Sequence, residues 1–221
     1  MYKTEPHLHV SEVSPCGKIG AAEMVKLYSE AGYKTVFISD HFTPNIFDKM
    51  GEMPWEEKIA RFISGYEIAK EAGDKLGVNV LLSAEFQFSY SQDHFLLYGI
   101  DRSFLEKLEV FFDRSIEELY NFAKENGVTV VQAHPYRDGV RVPVDAAYID
   151  AVEAVNVNPR HENYTEKAIA FAKEHSLPMT SGSDAHRYED VARGGVISEY
   201  EIKTASDYVD LILGNKAELI G

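Results

Sequence analysis

The chain has 221 residues, 45% of them hydrophobic, and carries a formal net charge of -14. That size and apolar content suit one α/β domain over residues 1–221 and exclude a disordered tail. The acidic balance argues against nonspecific attachment to nucleic acid or an anionic membrane, but it leaves room for a phosphorylated substrate, because bound metal ions reverse charge locally. Apolar runs such as VTVVQA are too short to cross a bilayer, and nothing at the N-terminus resembles a signal peptide, so a cytoplasmic location is expected. The single cysteine, Cys16, allows no intrachain disulfide.

In chain order, TEPHLHV reads as a first strand. His7 and His9 are two apart on it and project to the same face. Pro6 complicates this strand, because proline cannot donate to a ladder. AAEMVKLYSEAG reads as a helix ending at Gly32, followed by a strand, YKTVFIS, that closes on Asp40 and His41. Pro54 fits the first turn of the next helix, which runs to Gly77 and leads into VNVLLSA and Glu85. FQFSYSQDHFLLYGI is a hairpin candidate with His94 just beyond its turn. Ser103 and Glu106 resemble a capping box that would start a helix after YGID. SIEELYNFAKENG ends at Gly127 and feeds VTVVQA and His134. AVEAVNV is a further strand. A last helix, TEKAIAFAKEHS, lacks the glycine but precedes LPMTSGS, Asp184 and His186.

Helix and strand alternate throughout, and the strands are continuous apolar runs, as in parallel strands covered on both faces. The expected fold is an irregular (β/α)7 TIM-like barrel of parallel strands, with an open doubly wound sheet as the alternative. No GxGxxG or P-loop pattern supports a nucleotide-binding sheet. On a barrel, His7, His9, Asp40, His41, Glu85, His94, His134, Asp184 and His186 fall at or near strand ends, where catalytic residues gather at the C-terminal mouth. Imidazoles and carboxylates are ligands for zinc, iron or manganese. The set exceeds what one tetrahedral ion needs, so two or three ions sharing a carboxylate are expected, with Glu85 as bridge.

HLH, SDH, AEF, DHFLLYG, AHPYR and GSDAH occur in the order of the polymerase and histidinol phosphatase (PHP) superfamily, which the chain resembles from residue 7 to residue 187. The resemblance implies a distorted (β/α)7 barrel with a di- or trinuclear site that hydrolyses phosphoesters. It implies His7, His9, Glu85 and Asp184 around one ion, Glu85, His94 and His134 around a second, and His41 and His186 around a third. Relatives often add a histidine or aspartate to the third site shortly after HxH. Here the segment reads SEVSPCG, leaving Cys16 and Glu12 nearby; Cys16 is either a third-site ligand or a small packing residue.

Asp40 is read as a partner orienting a ligand imidazole, or as an acid for the leaving group. Arg137 and Arg160 are read as phosphate contacts, because a planar guanidinium holds two phosphate oxygens at once; Arg187 and His161 are further candidates. The expected activity is metal-assisted hydrolysis of a phosphate monoester of a small molecule, with nucleic acid not expected as a partner. Histidinol-phosphate phosphatase is the alternative within the class. A polymerase-associated or non-catalytic metal-binding module is the alternative outside it.

Overall fold

The computed structural model covers residues 1–221. In chain order the elements are β1 (Tyr2–Leu8), α1 (Ala21–Glu30), β2 (Tyr33–Ile38), β3 (His41–Phe42), α2 (Pro44–Lys49), α3 (Trp55–Leu76), β4 (Asn79–Gln87), β5 (His94–Tyr98) and α4 (Arg102–Leu105). They continue with α5 (Ile116–Glu125), β6 (Thr129–Ala133), β7 (Ala151–Asn156), α6 (Thr165–Glu174), β8 (Met179–Gly182), β9 (Gly195–Ser198), α7 (Ala205–Leu213) and β10 (Glu218–Ile220). The strands form one sheet in the order β10-β9-β1-β2-β4-β5-β6-β7-β8, with β3 beside β4. Just past β8, Ala185 bridges to Leu8 at the end of β1, which nearly closes the sheet into a barrel.

The sheet is mixed, which corrects the expectation of parallel strands. β1, β2 and β4 run parallel, as do β6, β7 and β8. β5 runs antiparallel to both β4 and β6, and β9 and β10 add an antiparallel edge beyond β1. The reversal at β5 follows from the short FSYSQD connection, which has no room for the crossover that a parallel neighbour requires.

Local chemistry accounts for most element ends. Gly32, Gly77 and Gly127 hold φ of +82°, +68° and +72° where α1, α3 and α5 stop, the conformation glycine adopts most easily. After α6 the same role falls to Ser176, at φ +56°. Pro6 sits at an irregularity in the pairing of β1 with β2, and its carbonyl accepts from the Tyr98 hydroxyl at 3.2 Å. Two start signals differ from expectation. The cap of α4 is Asp101, which accepts from the Phe104 amide at 2.8 Å while Ser103 donates to Asp101, and Pro54 precedes α3 as its cap.

The strands β2, β5 and β6 are almost wholly buried, as continuous apolar runs require. No helix is long and apolar enough to cross a membrane.

Candidate metal centre

The expected histidine and carboxylate ligands arrive at one mouth of the barrel from six strands. His7 is next to last in β1 and His9 follows it; His41 starts β3; Glu85 lies near the end of β4; His94 starts β5; His134 follows β6; Asp184 and His186 follow β8. The antiparallel course of β5 matters here, because it places the beginning of that strand, and so His94, at the same mouth as the ends of β4 and β6. His134 and Asp184 hold φ of +30° and +49°, a conformation costly for residues with a side chain. The bend brings both side chains into the mouth at the points where β6 and β8 stop.

Glu85 is the hub. Its Oε1 lies 2.7 Å from His94 Nδ1, 2.9 Å from His134 Nε2 and 3.5 Å from His7 Nε2. Its Oε2 lies 2.5 Å from His41 Nδ1 and 3.6 Å from His9 Nε2. Asp184 Oδ1 lies 3.2 Å from His9 Nε2 and 3.5 Å from His7 Nε2. The His7 and His9 Nε2 atoms are 3.1 Å apart, and those of His41 and His186 are 3.4 Å apart.

Four triads bring their donor atoms within 4.8 Å of one another: His7, His9 and Glu85; His7, His134 and Asp184; His41, Glu85 and His94; His9, His41 and His186. The first triad shares His7, His9 and Glu85 with the first ion that the resemblance implied, and His94 and His134 both lie against Glu85 Oε1, as it implied for the second. Donor atoms of His134 also lie near those of His7 and Asp184, those of His94 near His41, and those of His9 near His41 and His186. Cys16 belongs to no triad. Its thiol is exposed beside His41 and His186; burial would raise it, but hydrogen bonding and charge from those two imidazoles outweigh this and lower it to about 6.

The donor set fits metal. Glu85 Oε2, Asp184 Oδ1 and His41 Nδ1 are buried and lack hydrogen-bond partners, although each faces other donor atoms of the cluster. Buried polar atoms are ordinarily satisfied, and cations bound among the cluster's donor atoms would satisfy them.

Other residues aim these ligands. His7 Nδ1 pairs with the buried Glu153 Oε1 at 2.8 Å, leaving Nε2 for the cluster. Glu153 also accepts from the His134 amide at 3.1 Å and from Asn156 at 2.9 Å. Glu5 accepts from the His7 amide, the Ser183 amide and the Tyr28 hydroxyl, so one carboxylate ties β1 to the end of β8. Burial pushes Glu5 up to about 7 against those bonds. The sequence pattern did not single out Glu5 or Glu153. Their only sequence signal is an acid inside a strand that is otherwise apolar.

Asp40 is buried beneath the cluster. Its Oδ1 accepts from the Val10 amide and from Ser14 Oγ at 2.7 Å, and Ser14 Oγ lies 3.5 Å from His9 Nδ1. Burial pushes Asp40 up to about 7. This position suits the orienting role; Asp40 does not line the cavity that opens above the cluster, so a role as leaving-group acid finds no support in its placement.

That cavity, about 380 Å³, is lined by His41, His186, Asp184 and Cys16, and by four arginines: Arg137, Arg141, Arg160 and Arg187. Arg137 is committed inward. Its Nη2 pairs with Asp184 Oδ2 at 2.5 Å and donates to Asn156 at 2.9 Å, while its Nε donates to Asn163 at 3.0 Å. Arg160 pairs with Asp190. His161 also lines the cavity, and its Nδ1 lies 2.8 Å from Asp138. Arg141 was missed by the sequence reading, being one arginine in a loop without a motif. A chain of net charge -14 therefore gathers four arginines at this mouth, two of them already paired with acids, an arrangement that the whole-chain figure does not show.

The ionisation pattern carries a prediction. Burial works against charge on His7 and His41, but the carboxylates beside them prevail: Glu153, Asp184 and Glu85 raise His7 well above its ordinary value, and Glu85 raises His41 to about 10. Burial first, then neighbouring cations, holds His9 and His134 well below theirs. Burial works against charge on His186 as well, but hydrogen bonding to Cys16 and the Asp184 charge raise it. Several ligands thus favour a proton that a bound ion must displace, so affinity should rise with pH. Metal titration calorimetry in buffers of different ionisation enthalpy should show net proton release; heats independent of buffer would defeat this. The sign for metal-free stability is opposite. With His41 raised from 6.5 to about 10, its contribution is complete below pH 6.5 and is lost as pH rises through about 10.

The fold is similar to those of several solved structures. A two-domain protein of Bacteroides vulgatus, containing a predicted PHP-like metal-dependent phosphoesterase, superposes with a TM-score of 0.71 at 16% identity, over 99% of this chain and 64% of that one. A candidate metal-dependent phosphoesterase from Bifidobacterium adolescentis matches with a TM-score of 0.59 at 17% identity, over 98% and 97% of the two chains. The lesion-specific endonuclease Q of Pyrococcus furiosus matches with a TM-score of 0.64 at 15% identity, over 99% of this chain and 57% of its own. The chain thus spans less than two thirds of the Bacteroides and Pyrococcus proteins.

In sequence, the PHP-associated family matches residues 162–215, and no curated protein matches. The resemblance to PHP-superfamily metal-dependent phosphoesterases is borne out by that family match and these folds. Endonuclease Q also occurs in complex with a lesion-bearing duplex, so the expectation that nucleic acid is not a partner finds no support in the fold.

Proposed function

We propose that the chain hydrolyses a phosphate monoester of a small molecule at this mouth, using two or three ions of zinc, iron or manganese. The observation that carries the reading is Glu85, a buried carboxylate ringed by imidazoles whose second oxygen has no hydrogen-bond partner. His7, His9, His41, Glu85, His94, His134, Asp184 and His186 would hold the ions, with the Cys16 thiol beside the His9–His41–His186 set. Bound there, the ions would supply a water acidified to a pKa of about 7 and positive charge against the phosphoryl oxygens.

The chain's own residues do the rest. Glu153 and Ser14 fix the orientations of His7 and His9. Arg137 neutralises the outer oxygen of Asp184 and leaves the inner one to face the cluster. Only 2 of the 13 residues lining the cavity are hydrophobic, which suits a small polar substrate.

The test is metal analysis of protein purified without chelator, followed by a screen against phosphomonoesters including histidinol phosphate, acyl amides, single-stranded DNA and lesion-bearing duplex. The expected result is two or more ions per chain and turnover of phosphomonoesters that chelator abolishes. Turnover of amides or DNA alone would replace this reading, and bound metal without turnover of any substrate would make the chain a non-catalytic module.

A further inference from the structure

We infer that Arg141 is the residue that grips the substrate's phosphoryl group, an assignment that rests on the phosphoesterase reading. The arginines of the cavity differ in what their charge already faces. Arg137 is ion-paired to Asp184 and braced by two asparagines, and Arg160 is ion-paired to Asp190 with Glu189 4.0 Å away. Arg187 is more exposed and has Glu189 at 3.9 Å. Arg141 is half-buried and has no carboxylate at ion-pair distance; its one polar contact is from Nη1 to His134 Nδ1, at 2.8 Å. A partly desolvated cation facing only an imidazole is a site for an anion.

The loop that carries it is built to hold it there. Val140 and Val142, on either side, are exposed, while Arg141 turns into the cavity. The Gln132 side chain, from β6, clamps the loop by donating to the Val142 carbonyl at 3.2 Å and accepting from the Val144 amide at 3.0 Å. The strand that delivers His134 therefore also sets Arg141.

The bond to His134 ties the two functions together. A neutral imidazole has one lone pair and one N–H. If His134 gives Nε2 to an ion, Nδ1 carries the proton; if it gives Nδ1, that lone pair is used. In both cases His134 can no longer accept from Arg141, and the guanidinium is released toward a phosphate oxygen close to the ions. Phosphate affinity should therefore depend on metal even before chemistry occurs.

The experiment uses the full chain loaded with metal, inorganic phosphate as probe in calorimetry, and a phosphomonoester in steady-state kinetics. Arg141→Ala should keep its metal content, bind phosphate about ten- to a hundredfold more weakly and raise KM similarly, the size expected for lost charge-assisted bonds. Arg141→Lys should recover part of the affinity, because it keeps the charge and loses the fork. Gln132→Ala should reproduce a milder form of the Arg141→Ala defect by freeing the loop. Wild-type affinity and KM in Arg141→Ala would overturn the assignment. So would loss of metal from that variant with phosphate binding intact in Arg141→Lys, since Arg141 would then serve His134 alone. A wild-type protein that turns over phosphomonoesters without binding phosphate more tightly than Arg141→Ala overturns this inference only. One that neither binds phosphate nor hydrolyses any phosphomonoester overturns the phosphoesterase reading, and this inference with it.

Discussion

Glu85→Gln is expected to strip most of the bound metal and nearly all hydrolytic activity. Glutamine preserves the shape but replaces an anionic oxygen with an amide nitrogen that has no lone pair to offer. Both oxygens of Glu85 face imidazoles, Oε1 those of His94, His134 and His7, and Oε2 those of His41 and His9, so an amide nitrogen on either side faces ligand nitrogens in place of an anionic oxygen. Losing even an outer partner of a metal ligand costs roughly 10- to 100-fold in affinity, and a shared ligand should cost more. The variant also separates two explanations. Burial resists charge on Glu85, yet the His94, His41 and His7 imidazoles hold its carboxyl well below the usual range; removing that charge removes the main support for a proton on His41. Proton release on metal addition should fall together with metal content. Metal content and turnover like those of the wild type would rule out the shared ligand.

Arg137→Ala is expected to destabilise the metal-free protein strongly and the metal-loaded protein less. Arg137 and Asp184 form a buried ion pair, and burial alone would raise Asp184; the Arg137 charge, followed by His7, holds it well below its ordinary value instead. Truncating one partner leaves a buried charge uncompensated, which costs about 3–5 kcal/mol. For a chain of this length that corresponds to a Tm lower by roughly 6 °C or more. An ion beside Asp184 supplies the missing positive charge, so metal should restore part of the loss. Metal titration of the variant should show weaker binding, because Asp184 loses the Arg137 guanidinium that Asn156 and Asn163 hold against it. Paired thermal melts in chelator and in metal decide it. An equal drop in both states, or none, would show that Arg137 does not neutralise Asp184, and a change in KM alone would return it to the phosphate-contact role.

The strand ends, the helix stops and the ligand types are local properties, and the chain states them locally. Gly32, Gly77 and Gly127 mark where helices stop because a positive φ is a property of single residues. The HxH pair faces one way because alternation along a strand is a property of neighbours. Continuous apolar strands with a histidine or carboxylate at their ends say that the polar groups meet at a rim, and they do.

What neighbours in sequence cannot state is which group meets which across the barrel. The meeting of His9, His41 and His186 in one imidazole set, of His7 with Glu153, and of Arg137 with Asp184 joins segments far apart in the chain. The arginines show the difference most plainly. Arg137 sits beside a motif and Arg141 does not, so sequence favoured Arg137. The fold places Asp184, 47 residues further along, against Arg137 and places no acid against Arg141. Residue type and local spacing are written in the chain, but the charge that is left free depends on pairings between distant segments, and only tertiary packing decides those.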